Sequence, residues 1–246
     1  MTRRIRTALL GLTAALVLVL ATGGSAAAGE PATARASAQS VTTAAPKPIL
    51  VPASTPYRRT GSSAVALTFD DGPDPRWTPQ VLNLLRQHRV KATFCLVGAN
   101  VKAHPSLVRK IAADGHALCN HTMRHDLNLK KKSRAAILAD LRETSALITR
   151  ASGGVVPKYF RAPGGNWSGV IVSVARSLGM ASIGWTVDPR DWTKPPASTI
   201  VSRVRASMAP GVIVLMHDGG GDRSRTVAAC KVLLPDLSSR YRLVRL

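Results

Sequence analysis

Asp70 and Asp71 stand side by side at the end of the apolar run Val65-Ala-Leu-Thr-Phe69, just ahead of Gly72-Pro73. Two carboxylates in one small site repel, and a cation, a metal or a shared proton must offset that repulsion. Within a strand, neighbouring side chains point to opposite faces. At a strand's end the backbone turns, and both can reach one cleft in different roles. The chain offers partners of both kinds. His121-Thr-Met-Arg-His125 sets two imidazoles four residues apart, and one helical turn or a tight loop brings them to one side. Two histidines and a carboxylate make a common open metal site. Arg161, in Phe160-Arg-Ala-Pro-Gly-Gly-Asn166, cannot lose its charge and forks onto carboxylates, so it can hold one aspartate ionised. Trp185-Thr-Val-Asp188-Pro-Arg-Asp191-Trp192 joins two indoles to two acids, a set suited to a sugar face or an acetyl methyl group. His217 ends the run Val212-Ile-Val-Leu-Met, and beside a carboxylate such as Asp191 it has the chemistry of a general acid. His88, His104 and His116 stand at apparent element ends and read as caps rather than ligands.

The elements that must position these groups alternate between strand and helix. Short β-type runs occupy 64–69, 92–97, 116–119, 159–160, 181–187, 212–216 and 241–244. Helical patterns fill 78–88 (Thr78 as N-cap, Pro79 at the first position), 105–113, 133–151, 168–178, 197–208 and 224–237. Repeated alternation predicts an α/β fold with a parallel sheet and helices outside it. Asp70-Asp71, His121, Arg161, Asp188 with Asp191, and His217 all follow candidate strands. In a parallel barrel every strand's C-terminal end opens on one face, and that face holds the site. Five reactive strand ends therefore predict a distorted (β/α) barrel of about seven strands. An open sheet would gather them at one switch point around a phosphate loop, and no Gly-x-Gly-x-x-Gly or P-loop pattern occurs.

Length and composition frame that domain. The 246 residues begin with Arg3, Arg4 and Arg6, then an uncharged stretch from Ala8 to Ala21, then small residues with cleavage sites after Ala28 or Ala38. This pattern predicts a secretory signal peptide over 1–38 and an extracellular or wall-associated protein. The apolar stretch is short of the ~20 residues of a membrane span, so no stable span is expected after cleavage. Arg3-Arg4 hints at twin-arginine export. Residues 39–61 read as a Pro/Ala/Thr linker, and 62–246 suffices for one well-cored domain, expected as a monomer. Residues 1–38 hold four Arg and one Glu, so +18 of the formal +21 belongs to the remainder. That balance favours an anionic surrounding such as a wall polymer. Aromatics make up only 4% of the chain, which argues against stacking platforms for single-stranded nucleic acid; no nucleic-acid partner is expected. Export permits disulfides: Cys95 and Cys119 either bridge, if their runs are neighbouring strands, or remain buried thiols. Cys230 reads as a buried free thiol.

Taken in order, Thr68-Phe-Asp-Asp-Gly72, His121-Thr-x-x-His125, Arg161-x-Pro-x-Gly165, Asp188-x-x-Asp191-Trp192 and Leu215-x-His217 resemble the five motifs of the NodB-like polysaccharide deacetylases, the fourth carbohydrate esterase family. The resemblance covers about residues 62–246. It implies a distorted barrel and a divalent-metal hydrolase acting on an acetylated polysaccharide, with Zn2+ the first choice of metal and Co2+ or another divalent ion as alternatives. Asp70 would be the general base. Asp71, His121 and His125 would ligate the metal. Arg161 would orient Asp70, and His217 would be the general acid tuned by Asp191. Trp185 and Leu215 would line the acetyl pocket, with Trp192 beside them. Members often carry Tyr after the proline of the third motif, and its backbone N–H helps bind the oxyanion. Here Gly164 keeps a backbone donor and loses the aromatic wall. An O-acetyl esterase on acetylated xylan and a catalytically silent wall-binding module are the alternatives.

Overall fold

The structure, a computed structural model, describes residues 55–246. The signal peptide expected over 1–38, and the linker up to residue 54, lie outside the described residues. Strand β1 (Val65–Asp70) belongs to a parallel sheet with β2 (Thr93–Leu96), β3 (Ala117–Asn120), β4 (Tyr159–Phe160), β5 (Ala181–Ser182) and β6 (Ile213–His217). Their order is β5-β4-β3-β2-β1-β6, and the short β7 (Leu243–Val244) pairs with the start of β1. Helices α1 (Thr78–Gln87), α2 (Gly98–Ala103), α3 (Pro105–Ala113), α4 (Arg134–Ser152), α5 (Gly169–Ser177), α6 (Ala197–Ala206) and α7 (Ser224–Arg240) follow the strands. The sheet curls into a distorted half-barrel, as the alternation predicts. Among the described residues no helix is long and apolar enough to cross a membrane.

The run 181–187, expected as one strand, is instead broken. Only 181–182 pairs with β4. At Gly184 the backbone is claimed by other partners: its N–H donates to the Tyr57 carbonyl and its own carbonyl accepts from Arg161 Nη2. Thr186 and Val187 then donate to the Ile213 carbonyl, and Leu215 N–H donates to that of Val187, so the gap towards β6 is bridged. Part of the segment read as a linker also joins the fold: Tyr57 bridges Ile183 and Arg59 bridges Val212. The sequence reading passed over α2 altogether. It is only six residues long and its first residue is Gly98, whose missing side chain leaves room for Met123.

Strand alternation sorts the side chains. Val65, Leu67 and Phe69 enter the core beneath the helices with Val214 and Met216, whereas Thr68, Asp70, Leu215 and His217 share the inner face. Register carries that inner face across the sheet from Asp70 to Cys95 and on to Cys119. Those two cysteines form a disulfide, buried beside Ile183. Cys230 is free and buried.

Candidate active site

The site is assembled where the strands end. Asp70 is the last residue of β1 and keeps the inward direction. Asp71 adopts φ +72°, and that left-handed turn sends the second carboxylate along a different path. Asp70 Oδ1 accepts from Arg161 Nη1 at 2.7 Å. Arg161 is fully buried and makes three further bonds, to Thr68 Oγ1 at 2.8 Å, the Gly184 carbonyl at 3.0 Å and the Ile183 carbonyl at 3.4 Å. A buried guanidinium so held is fixed in place, and it aims Asp70.

His121 and His125 meet through a tight loop rather than a helical turn. Thr122 and His125 both take positive φ, 66° and 52°, a backbone that stores about 1–3 kcal/mol per residue and persists only where surroundings enforce it. Asn120 does the enforcing: its Oδ1 accepts from Thr122 N–H, while its Nδ2 donates to the Leu141 carbonyl and Ser145 Oγ on α4. Asp140 adds a bond from Met123 N–H. His121 Nδ1–H donates to the Arg161 carbonyl at 2.8 Å, which leaves Nε2 as the free lone pair. Nε2 of His121 lies 3.5 Å from Asp71 Oδ1, and that of His125 lies 3.3 Å from the same oxygen. Asp71, His121 and His125 each offer a ligand atom, all within 4.8 Å of one another. Asp71 Oδ1 is buried with no hydrogen-bond partner. Two imidazole lone pairs and an orphaned carboxylate oxygen facing one point fit a divalent cation such as zinc.

The electrostatics agree with that fit. Burial alone would raise the Asp71 pKa, yet the neighbouring imidazoles of His121, His217 and His125 bring it down to about 2. Burial works against a charged His121, but Asp70 and Asp71 outweigh it and push its pKa up. The pair thus draws positive charge into the gap.

His217, at the end of β6, donates from Nδ1 to Asp191 Oδ1 at 2.7 Å. Asp191 Oδ2 accepts from His217 N–H and Thr226 Oγ1. Burial disfavours the imidazolium, but the Asp191 bond and charge, aided by Asp70 and Asp71, raise the His217 pKa overall. Leu215 lies one inward step below, buried on the same face. Gly164 is exposed with φ +60° in a short 3-10 turn, Pro163–Gly165. Trp185 packs over Gly165, where a Cβ would fall 2.8 Å from the ring, and lies 5.6 Å from the Arg161 guanidinium. Trp192 is 48% exposed, with Arg190 over its ring. Asp188 stays outside the cluster and caps the Arg190 N–H instead.

Several residues that shape the site escaped the sequence reading. Thr78 does not cap α1: the N-cap is Trp77, without a side-chain cap bond, and Asp74 Oδ1 accepts from the Arg76 and Trp77 N–H groups just ahead of the helix. Thr78 Oγ1 instead donates to Asp218 Oδ2 at 2.6 Å. Asp218 lies under the acidic turn, and a Cβ on Gly72 would come within 2.6 Å of both its oxygens. Burial pushes Asp218 up to about 7. The Gly219-Gly220-Gly221 run passes against Asp71, where side chains at 219 and 220 would strike its carbonyl and carboxylate. Arg223 ties that loop down through the Gly219 and Gly220 carbonyls. The three consecutive glycines after His217-Asp218 were the available signal.

A family model described as polysaccharide deacetylase matches residues 57–183. The chain is 40% identical over 200 residues to a chitooligosaccharide deacetylase of Sinorhizobium fredii, covering 77% of this chain and 93% of that one. It is 41% identical over 183 residues to a peptidoglycan-N-acetylglucosamine deacetylase of Bacillus cereus, covering 73% and 84%. A solved structure of a fourth-family pseudoenzyme from Bacillus anthracis superposes with a TM-score of 0.73 at 30% identity, covering 80% of this chain and 68% of that one.

Proposed function

This chain belongs to the polysaccharide deacetylase family, and from that premise we propose that it is a secreted, divalent-cation-dependent hydrolase. Its substrate on this reading is N-acetylglucosamine in peptidoglycan or a chitin-like polymer, from which it releases acetate. The observation that carries the reading is the division of the acidic pair: Asp70 is held by Arg161 while Asp71 faces His121 and His125. A divalent cation held by Asp71, His121 and His125 would supply Lewis acidity towards an acyl oxygen and lower the pKa of water to about 7. Asp70, held by Arg161, takes a proton from the attacking water as the new C–O bond forms. The Gly164 N–H offers a donor to the oxyanion. His217 delivers its proton to the sugar nitrogen as the C–N bond breaks, and acetate leaves. Trp185 and Leu215 close the acetyl pocket, and Trp192 lies exposed for a sugar ring. The basic, apolar, Ala-rich start of the chain supports secretion, and the excess positive charge suits an anionic wall.

The likeness to a pseudoenzyme favours a second reading, a silent wall-binding module. Acetate release decides between them, measured on an N-acetylglucosamine polymer, peptidoglycan and acetylated xylan, with chelator and metal add-back. Chelator-sensitive release from the N-acetylated polymers is expected. Release from xylan alone would move the assignment to an O-acetyl esterase, and binding without release to the silent module.

The His217–Asp191 pair makes the reaction pH-dependent. His217 must be protonated to serve as the acid, and its raised pKa keeps it so further into the neutral range. Activity is present below that pKa and falls as pH rises through it. Asp191→Asn removes the charge that holds the proton, so the alkaline limb of kcat/KM should move to lower pH at saturating metal. An unmoved limb would remove His217 from the acid's role.

A further inference from the structure

Cation affinity at this site depends on where the Asp71 carboxylate points, yet its Oδ1 is buried with no hydrogen-bond partner. Packing must therefore set its direction. Asn100 Nδ2, on α2, donates to the Asp71 carbonyl at 2.8 Å and holds the backbone from one side. The loop after β6 closes the other. A Cβ on Gly219 would strike the Asp71 carbonyl, and one on Gly220 would fall 2.5 Å from its Oδ2. Three consecutive glycines lose much conformational freedom when held in one shape, and Gly220 and Gly221 take φ +73° and +131°. Arg223 supplies the hold. Its Nε donates to the Gly219 carbonyl at 2.6 Å, and its Nη2 to the Gly220 carbonyl at 3.0 Å. Those are the two residues that lie against Asp71. Arg223 is only 4% exposed, forms no ion pair among the described residues and leaves Nη1 without a hydrogen-bond partner. A buried guanidinium in that state is a poor stabiliser, because it carries a desolvation cost that an apolar side chain avoids. What it does provide is a fork onto two adjacent carbonyls behind a ligand.

We propose, on the reading of Asp71 as a metal ligand, that Arg223 is a positioning residue for it, acting through the carbonyls of Gly219 and Gly220. Asp71 has a left-handed backbone, φ +72°, and such a conformation persists only where its surroundings enforce it. The glycine loop is part of that enclosure, and Arg223 keeps the loop in place. Arg223 is itself anchored. It is the N-cap of α7, and its carbonyl accepts from Val227 N–H at 2.9 Å. Three residues on, Thr226 Oγ1 donates to Asp191 Oδ2 at 2.8 Å. The start of α7 is thus a common mount, for Asp71 through the loop and for the partner of His217 through Thr226. Without the fork the glycines are free to move, and the Asp71 carboxylate can swing off the point that His121 and His125 face. A cation would then have to order that ligand on binding, which weakens its affinity.

The test uses the full chain and Zn2+ alone, with affinity read by competition against a fluorescent chelator. Arg223→Met keeps an apolar stem and removes the fork. It should weaken Zn2+ binding by about tenfold, the low end of the loss for a group behind a metal ligand. Val227→Ala thins the core at the same turn of α7 and leaves the fork intact. It should lower the unfolding temperature while Zn2+ affinity stays near the unsubstituted level. A double-mutant cycle then separates positioning from general loosening. Asp71→Asn alone should weaken Zn2+ binding, and Arg223→Met added to it should cost less than about threefold more, because its effect passes through Asp71. Unchanged affinity in Arg223→Met, an equal loss in Val227→Ala, or an undiminished further loss on top of Asp71→Asn would each overturn the proposal. If Arg223→Met folds poorly, Arg223→Lys takes its place in every comparison, since a single ammonium keeps the charge and lacks the fork. Zn2+ bound by Asp71→Asn as tightly as by the unsubstituted chain would end the ligand reading and this proposal together. The other outcomes leave that reading standing and judge Arg223 alone.

Discussion

Asp70→Asn is expected to lower kcat by about 10²- to 10⁴-fold, the usual contribution of a positioned general base, with a divalent cation still bound. Asparagine keeps the shape of the side chain, and its oxygen can still accept from Arg161 Nη1, so the barrel's inner face need not rearrange. What disappears is the proton acceptor. It also leaves the buried guanidinium without a counter-charge, and breaking one side of a buried pair costs about 3–5 kcal/mol when nothing replaces it. The retained amide oxygen should keep the loss below that range. Acetate release, metal content of the purified variant and thermal unfolding, read together, separate the effects. Near-normal acetate release would overturn the assignment of Asp70 as base.

The second large effect is expected from His121→Ala. His121 is 2% exposed and tied through Nδ1 to the Arg161 carbonyl, so its Nε2 is the most rigidly aimed of the three ligand atoms. Loss of an outer partner of a ligating histidine typically weakens metal binding by about 10–100-fold; losing the ligand itself should exceed that. Competition with a fluorescent chelator measures the affinity, and acetate release should recover in part when metal is supplied in excess. His125→Ala offers a graded comparison, because that side chain is 37% exposed and water can fill its place more readily. Undiminished metal affinity in His121→Ala would take the histidine out of the ligand set.

Much of this was legible in the amino-acid sequence. The chemistry demands particular residue types: carboxylates to ligate and to take protons, imidazoles with a free lone pair, an arginine that cannot lose its charge. Those types recur at strand ends, so Asp70, Asp71, His121, His125, Arg161, Asp191 and His217 could be named without coordinates. Strand–helix alternation likewise determined the parallel barrel, because each apolar run is too short to bury itself alone. By residue type, however, Asp70 and Asp71 are interchangeable. The left-handed φ at Asp71 and an arginine 91 residues away distinguish them. His-x-x-x-His left loop and helix open, and Asn120 with α4 decided for the loop. Thr78 looked like a cap until Asp218, 140 residues on, claimed its hydroxyl. Residues 181–187 looked like one strand until Tyr57 and Arg161 took the backbone groups of Gly184. Local spacing thus determined which groups could react. Only tertiary structure decided how each is aimed, because aim is set by hydrogen bonds and close contacts between segments far apart in the chain.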